Sequence, residues 1–300
     1  MRALVSGPTG LVGSALIDSL ARGGDEVLGL TRSAPEPGTA AVRWDPAAGA
    51  LDAAGLEGFD AVVHLAGENV THGRWTAARK ERIRLSRVEG TRLLSEALAA
   101  CERKPATLVC ASAIGYYGDR GDEICVEETA PADDFLARVA VDWERATSAA
   151  AEAGIRVVNL RIGVVLSPRG GMLARVGPLF RLGLGGRVGS GRQYLSWITL
   201  EDLVGVIEET LKSPHLAGPV NAVAPGPVTN LEFTRTMARL LRRPARLPLP
   251  APVVKLVWAE MGEALLLAST RVEPARLTAA GYAFRHPDID TALRDLLGTG

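Results

Sequence analysis

The run Arg2-Ala3-Leu4-Val5-Ser6-Gly7-Pro8-Thr9-Gly10-Leu11-Val12-Gly13 constrains this chain more than any other stretch. Ala3 to Val5 is apolar and long enough for a buried strand. Gly7, Gly10 and Gly13 follow at three-residue spacing, and Leu11, Ala15, Leu16, Ile17 and Leu20 then form an apolar stripe with Asp18 and Arg22 outward. This is strand, glycine turn, helix. Gly7 lets the chain turn sharply off the strand. Gly10 lets the backbone approach a pyrophosphate with no Cβ in the way, and Gly13 lets the helix pack close to the strand. The free N–H groups of the helix's first turn then face the phosphates. In a chain with 33 glycines the spacing alone is weak. Its context makes it specific, because a second strand, Glu26 to Arg32, follows at the distance a dinucleotide-binding unit needs.

The end of that second strand, Thr31-Arg32-Ser33, carries no carboxylate to accept from a ribose 2′-hydroxyl. Arg32 instead offers a planar fork suited to a 2′-phosphate, which favours NADP(H) over NAD(H). The competing reading is a solvated loop arginine. Further on, a short strand from Ala41 to Trp44 is closed by Asp45, and Ala61 to Leu65 is a core strand ending near Gly67. Residues 74–104 show a helical stripe, 107–113 a strand, 119–134 an acidic loop, 135–153 a helix capped by Gly154, and 156–166 a sixth strand. Strands alternating with helices predict an α/β fold with a Rossmann-type doubly wound parallel sheet.

After Pro168 the pattern changes. Glycines punctuate a loop-rich region up to Gly191. A strand over 195–198, a helix over 200–212 and a strand over 218–223 follow. Asn230 is the expected N-cap of a helix over 231–242. A Pro-rich segment, 244–252, separates an apolar run at 264–268 and a last helix near 289–297. Residues 1–169 are therefore expected to form the nucleotide-binding domain, with elements returning near 195–225. Residues 170–300 form a smaller mixed C-terminal lobe whose own last unit runs from about 247 to 297 by the shift in composition.

Composition excludes several function classes. Lys plus Arg and Asp plus Glu balance at 34 each, which argues against a nucleic-acid partner. No apolar run approaches a membrane span, and the N-terminus enters a strand with no charged-then-apolar leader, so a cytoplasmic location is expected. Cys101, Cys110 and Cys125 share no metal-binding spacing and read as reduced thiols. His64, His72, His215 and His286 are scattered, so no metal site is expected.

Several stretches together resemble the extended short-chain dehydrogenase/reductases of the nucleotide-sugar epimerase group. They are Gly7 to Gly13, His64-Leu65-Ala66-Gly67, Val88-Glu89-Gly90-Thr91-Arg92-Leu93-Leu94, and Ser196-Trp197-Ile198-Thr199-Leu200-Glu201-Asp202-Leu203. A tighter resemblance is to an atypical branch of "epimerase family" proteins, sometimes labelled cell-division inhibitors, which carry a C-terminal domain of unknown function. It rests on His64 to Asn69, Arg74-Trp75, Ser86-Arg87, Gly115-Tyr116-Tyr117-Gly118, Trp143-Glu144, Phe180 to Gly186 and Gly189-Ser190-Gly191-Arg192-Gln193. The resemblance implies NADP(H) held by Gly7, Thr9, Gly10, Leu11, Val12, Gly13, Thr31, Arg32, Asp45, Leu65, Ala66, Gly67, Glu68, Arg87, Ser112 and Val164. It also implies a small-molecule substrate of nucleotide-sugar-like kind, and it is compatible with a homodimer.

The same resemblance exposes a gap. The superfamily's chemistry uses a Tyr whose pKa is lowered by a Lys four residues on, with a hydroxyl that orients substrate. Registered on Glu144, those two positions are Leu136 and Ala140. Registered on Tyr117-Gly118, the hydroxyl position is Ala113. The remaining catalytic candidates are Ser112, Tyr116 and Tyr117, with Glu68 and Arg87 nearby. Each has a structural alternative: Ser112 satisfying backbone, the tyrosines packing under the lobe, Glu68 and Arg87 pairing as ions. Two functions stand open, an NADP(H)-dependent oxidoreductase or epimerase with a relocated acid/base, and a non-catalytic NADP(H)-binding regulator linked to cell division.

Overall fold

The computed structural model describes residues 1–31, 41–46, 48–51 and 54–298. The elements, in chain order, begin with β1 (Arg2–Ser6), α1 (Leu11–Arg22), β2 (Glu26–Thr31), β3 (Ala41–Asp45), β4 (Ala50–Leu51) and β5 (Ala61–His64). Next come α2 (Ala77–Ala100), β6 (Thr107–Ala113), β7 (Ile124–Cys125), α3 (Phe135–Arg145), α4 (Ser148–Glu152), β8 (Arg156–Ile162) and β9 (Val164–Ser167). The remainder is α5 (Gly171–Arg181), β10 (Tyr194–Leu195), β11 (Trp197–Thr199), α6 (Leu200–Lys212), β12 (Gly218–Ala222), β13 (Val228–Thr229), α7 (Asn230–Leu241), α8 (Ala251–Gly262), β14 (Arg271–Val272), α9 (Ala275–Ala279) and α10 (Ile289–Leu297).

The central sheet runs β12-β8-β6-β5-β1-β2-β3-β4. Seven strands are parallel, and only the short β4 pairs antiparallel. Strands buried on both faces read as continuous apolar runs, as Ala61-Val62-Val63 does in β5. On one face α1 and α6 pack Leu16, Leu20, Leu203 and Ile207 against Val5, Val63 and Val158. On the other, Leu94 and Leu98 of α2 and Ala150 of α4 cover Leu4, Val62 and Leu108. The doubly wound sheet predicted from the sequence is present. A separate cluster joins Phe180, Trp197, Phe233, Met237 and Leu293 from α5, β11, α7 and α10.

Six expectations are corrected. The strand over 156–166 is two strands, β8 and β9, because a Cβ at Gly163 would stand 2.8 Å from both Ser196 O and Val223 Cγ1. The chain bends there, and β9 leaves the central sheet to pair with β11. Ser196 likewise separates β10 from β11. The helix over 135–153 breaks at Ala146-Thr147, where the Thr147 hydroxyl donates to Glu144 O at 2.7 Å. The region after Pro168 holds α5, which buries Leu173 and Phe180 despite Pro178 inside it. Finally, Thr229 rather than Asn230 caps α7, in a reciprocal capping box with Glu232. The loop over 119–134 contains β7, which pairs with β14. Among the described residues no helix is long and apolar enough to cross a membrane.

Candidate functional site

The glycine turn sits where β1 ends, at the carboxyl edge of the sheet. Gly7 has φ +69, a region L side chains avoid. Gly10 N donates to Gly7 O at 3.0 Å and closes the turn. A Cβ on Gly13 would stand 2.1 Å from Gly7 O, so the first turn of α1 is pressed onto the turn itself. A Cβ on Gly10 would meet only Gly7 O, at 3.3 Å. Gly10 is thus small toward open space and Gly13 small toward the protein. Gly10 is also the N-cap of α1 and has no side chain to cap it, whereas Thr76, Asp134 and Thr199 cap α2, α3 and α6. The amides of Leu11, Val12 and Gly13 are the first-turn donors that a helix start offers to an anion. The cradle fits a dinucleotide's pyrophosphate.

Parallel register places Ser6 beside His64. Ser6 Oγ donates to His64 Nδ1 at 2.7 Å and accepts from the amides of Leu65 and Ala66 at 3.0 and 3.1 Å. One hydroxyl therefore fixes the strap that follows β5. Burial lowers the His64 pKa to about 4, so the ring is neutral with its proton on Nε2. The strap is held from the other side by α2. Glu68 N donates to Ser86 Oγ at 3.1 Å, and Arg87 Nη1 donates to Glu68 O at 3.0 Å. Arg79 pairs with the Glu68 carboxylate and donates to Asn69 O. The ion pair is thus Glu68–Arg79, and Arg87 lies under Gly67 with its guanidinium 5.0 Å from the Trp143 ring. Burial lowers the Arg87 pKa to about 10, which still leaves the side chain charged at pH 7.

The third part is a polar row that no short motif announces. Register aligns Ser112 of β6, Arg161 of β8 and Asn221 of β12 side by side. Arg161 is 3% exposed and forks onto Glu144 of α3, Nε to Oε1 at 2.8 Å and Nη2 to Oε2 at 2.9 Å. Its Nη1 donates to the Tyr117 hydroxyl and to Glu127 O, both at 3.0 Å. Burial alone would lower the Arg161 pKa, but the Glu144 carboxylate raises it above the ordinary value. Ser112 Oγ donates to Glu144 Oε1 at 2.8 Å, so its lone pairs remain as acceptors. Tyr117 is fully buried, and its hydroxyl donates to Asn221 Oδ1 at 2.7 Å. Burial pushes its pKa up to about 12, against the pull of Arg161. Tyr116 is half-buried, with its ring face 3.4 Å from the Arg161 guanidinium.

The C-terminal segment is stitched to this floor. Asn221 Nδ2 donates to Glu273 O at 2.9 Å, and the Asn221 and Arg276 amides both donate to the buried Glu127. Ser269 N donates to Asp119 Oδ1 and Thr270 Oγ1 to Gly118 O, at 3.1 and 2.8 Å. Beside the floor lies a cavity of about 240 Å³, walled by Trp75, Gly115, Phe135 and Leu136 and closed by Ala264, Ala268 and Thr270. Leu136 and Ala140, at the register of the expected Tyr and Lys, sit on α3, and Ala140 is buried.

The other sequence-derived residues fall around this cleft. Leu11 starts α1 and touches Gly170, Thr31 ends β2, Asp45 ends β3, and Val164 starts β9 opposite Trp197. Thr9 lies in the turn, and Leu65 to Gly67 form the strap. Arg32 lies outside the described residues. Sequence reasoning missed Glu144 as a partner of Ser112, and it missed Asn221 and Glu127 altogether. The Trp143-Glu144 pair was the one signal available.

The profile of the NAD dependent epimerase/dehydratase family matches residues 3–222, and a domain of unknown function (DUF1731) matches residues 249–296. The chain is 45% identical over 289 residues to epimerase family protein Mb2239 of Mycobacterium bovis, covering 96% of this chain and 95% of that one. It is 34% identical over 301 residues to epimerase family protein YfhF of Bacillus subtilis, covering 99% and 98%. Among solved structures it resembles human epimerase family protein SDR39U1 (isoform 2) with NADPH, at 35% identity and TM-score 0.90 over 99% of both chains. UDP-glucose 4-epimerase of Thermus thermophilus with NAD shares the fold, at 22% identity and TM-score 0.74 over 100% of this chain and 98% of that one.

Proposed function

This chain belongs to the NAD dependent epimerase/dehydratase family, and on that premise we propose that it is an NADP(H)-dependent oxidoreductase or epimerase-like enzyme working without the Tyr–Lys dyad on a small-molecule substrate. The observation that carries the reading is the glycine cradle, open at Gly10 and closed at Gly13, in a chain similar to one solved with NADPH. Gly7, Thr9, Gly10, Leu11, Val12 and Gly13 would hold the pyrophosphate. Thr31, Arg32 and Asp45 would hold the adenosine end, with Arg32 on the 2′-phosphate. Leu65, Ala66, Gly67, Glu68 and Arg87 form the wall that the cofactor passes, and Ser112 and Val164 lie toward its nicotinamide. When bound, the cofactor supplies or accepts a hydride.

The proton is the task of this chain's own residues. Leu136 and Ala140 have nothing to transfer. The Tyr117 proton is committed to Asn221 in a fully buried position, so Tyr117 holds the floor. Tyr116, carried on the Arg161 guanidinium, is the proton donor in this reading, and Ser112 accepts a hydrogen bond from a substrate hydroxyl. Purified protein with NADPH and a panel of aldehydes, ketones and nucleotide sugars, followed by nicotinamide absorbance, tests it. Tyr116→Phe should slow turnover about 10²–10⁴-fold, the usual contribution of a positioned acid or base. Unchanged turnover in that variant would move the proton donor elsewhere. Epimerisation of nucleotide sugars at roughly 1–10³ per second would refute the absence of an efficient acid/base.

A further inference from the structure

The cavity beside the polar floor says what kind of substrate the site accepts, and the argument rests on the enzyme reading above. The cavity opens at the carboxyl end of the sheet, where such folds bind their ligands: Gly115 lies two residues past the end of β6, and Leu136 stands at the register of the family's tyrosine. Part of its lining is apolar. Trp75 and Phe135 meet edge to face at 5.2 Å between ring centroids, and Leu136, Ala264 and Ala268 extend the surface.

The charged part of the lining is acidic. Asp119, Asp134, Glu260 and Glu263 line the cavity, and among the described residues neither lysine nor arginine does. Glu260 and Glu263 are offset by Lys80 and Lys255. Among the described residues neither Asp119 nor Asp134 forms an ion pair. Asp119 Oδ1 accepts from the Ser269 and Gly121 amides at 3.1 and 3.2 Å, and Asp134 Oδ1 accepts from the Ala137 amide at 3.0 Å. Amide hydrogen bonds stabilise a carboxylate but carry no net charge. The cavity's charged lining is therefore net negative, carried by carboxylates that face solvent. A diphosphate placed there would meet like charge and no guanidinium fork. Its volume, about 240 Å³, also lies below the roughly 300–1,000 Å³ usual for drug-sized ligands.

We propose that the cavity takes a compact, apolar-bodied carbonyl or alcohol that is uncharged or cationic, and that it excludes nucleotide diphosphates. The test uses the full chain saturated with NADPH, with cofactor binding established first by calorimetry. Three aromatic aldehydes of matched shape are then titrated: 4-(trimethylammonio)benzaldehyde, 4-tert-butylbenzaldehyde and 4-carboxybenzaldehyde, with UDP-glucose as competitor. The cationic and neutral aldehydes should bind, the carboxylate should bind about tenfold or more weakly, and UDP-glucose should not displace them. Added salt should narrow the cation–anion gap. So should the double variant Glu260→Gln with Glu263→Gln, whose substitutions lie on the outer rim and should leave NADPH affinity unchanged. Binding of the carboxylate as tight as the cation, displacement by UDP-glucose, or failure of all three aldehydes to bind overturns the inference while the cofactor reading stands. Failure of NADPH itself to bind, seen before any aldehyde is added, overturns both.

Discussion

Replacing Glu144 by Gln keeps the shape of the side chain and removes one charge. In the native fold Arg161 gives two short hydrogen bonds to the Glu144 carboxylate, and Ser112 gives a third. A glutamine offers one oxygen and turns an NH₂ toward donors, so at least one N–H of Arg161 is left unpaired. The Arg161 side chain is 3% exposed and Glu144 14%, so water cannot take over the lost role. Breaking a buried pair in this way costs about 3–5 kcal/mol, most of it the penalty of an uncompensated buried cation. Unfolding entropy near the melting point is about 2.1 cal/mol/K per residue, so for this length the loss corresponds to a drop of about 5–8 °C. Circular dichroism melting of Glu144→Gln against the wild type measures it. Removing both partners, Glu144→Leu with Arg161→Met, should cost less than the two single changes added together. A Glu144→Gln protein melting within about 1 °C of wild type would refute the argument, since a loss that small is under 1 kcal/mol for a chain this long.

His64 gives a pH dependence with a definite sign. Its folded pKa is depressed from 6.5 to about 4, so the unfolded chain binds more protons between those values. The stability it contributes is complete above about pH 6.5 and falls by roughly 3 kcal/mol as pH drops through that window. His64→Gln should flatten the slope in denaturant titrations, and an unaltered slope would place the effect on other groups. Gly10→Val should abolish binding of NADP(H) and NAD(H) while the fold survives, whereas Gly13→Val should lower the melting temperature, because a Cβ on Gly13 would stand 2.1 Å from Gly7 O and one on Gly10 3.3 Å from it. Intact cofactor affinity in the Gly10 variant would relocate the site. Arg32→Ala should weaken NADP(H) by about 1.5–3 kcal/mol in calorimetry and leave NAD(H) nearly unchanged. Equal wild-type affinity for both cofactors would remove the role given to Arg32.

The central sheet was legible because its strands are short apolar runs and its turn glycines are forced by backbone contact. Helices α1 and α2 announced themselves by periodicity. What escaped was set by tertiary contact. Gly163 looked like any glycine within an apolar stretch, and only the approach of Ser196 and Val223 makes it a bend. Helix α5 contains Gly177 and Pro178, both poor formers, and persists because it buries Leu173 and Phe180. β7 and β14 are two residues each, too short to show a period. The polar floor was harder still: Ser112, Glu144, Arg161, Asn221 and Glu127 share no local pattern. Strand register brings the first, third and fourth into line, and register is fixed by the whole sheet rather than by neighbours in sequence.

The stitching of residues 269–273 onto the 118–127 region has a consequence for the order in which the chain becomes native. The Ser269–Asp119 contact spans 150 residues, and the Thr270–Gly118 contact spans 152. Closing loops of that length costs entropy before any contact repays it. A chain emerging N-terminus first can assemble β1 to β6 and their helices long before those partners exist. Glu127 and Asn221 acquire their full set of bonds only once Glu273 and Arg276 are made. The glycine-turn half of the cleft is therefore early and local, and the polar floor is late and non-local. Nascent chains stalled before residue 269 would carry a nucleotide cradle without a finished floor.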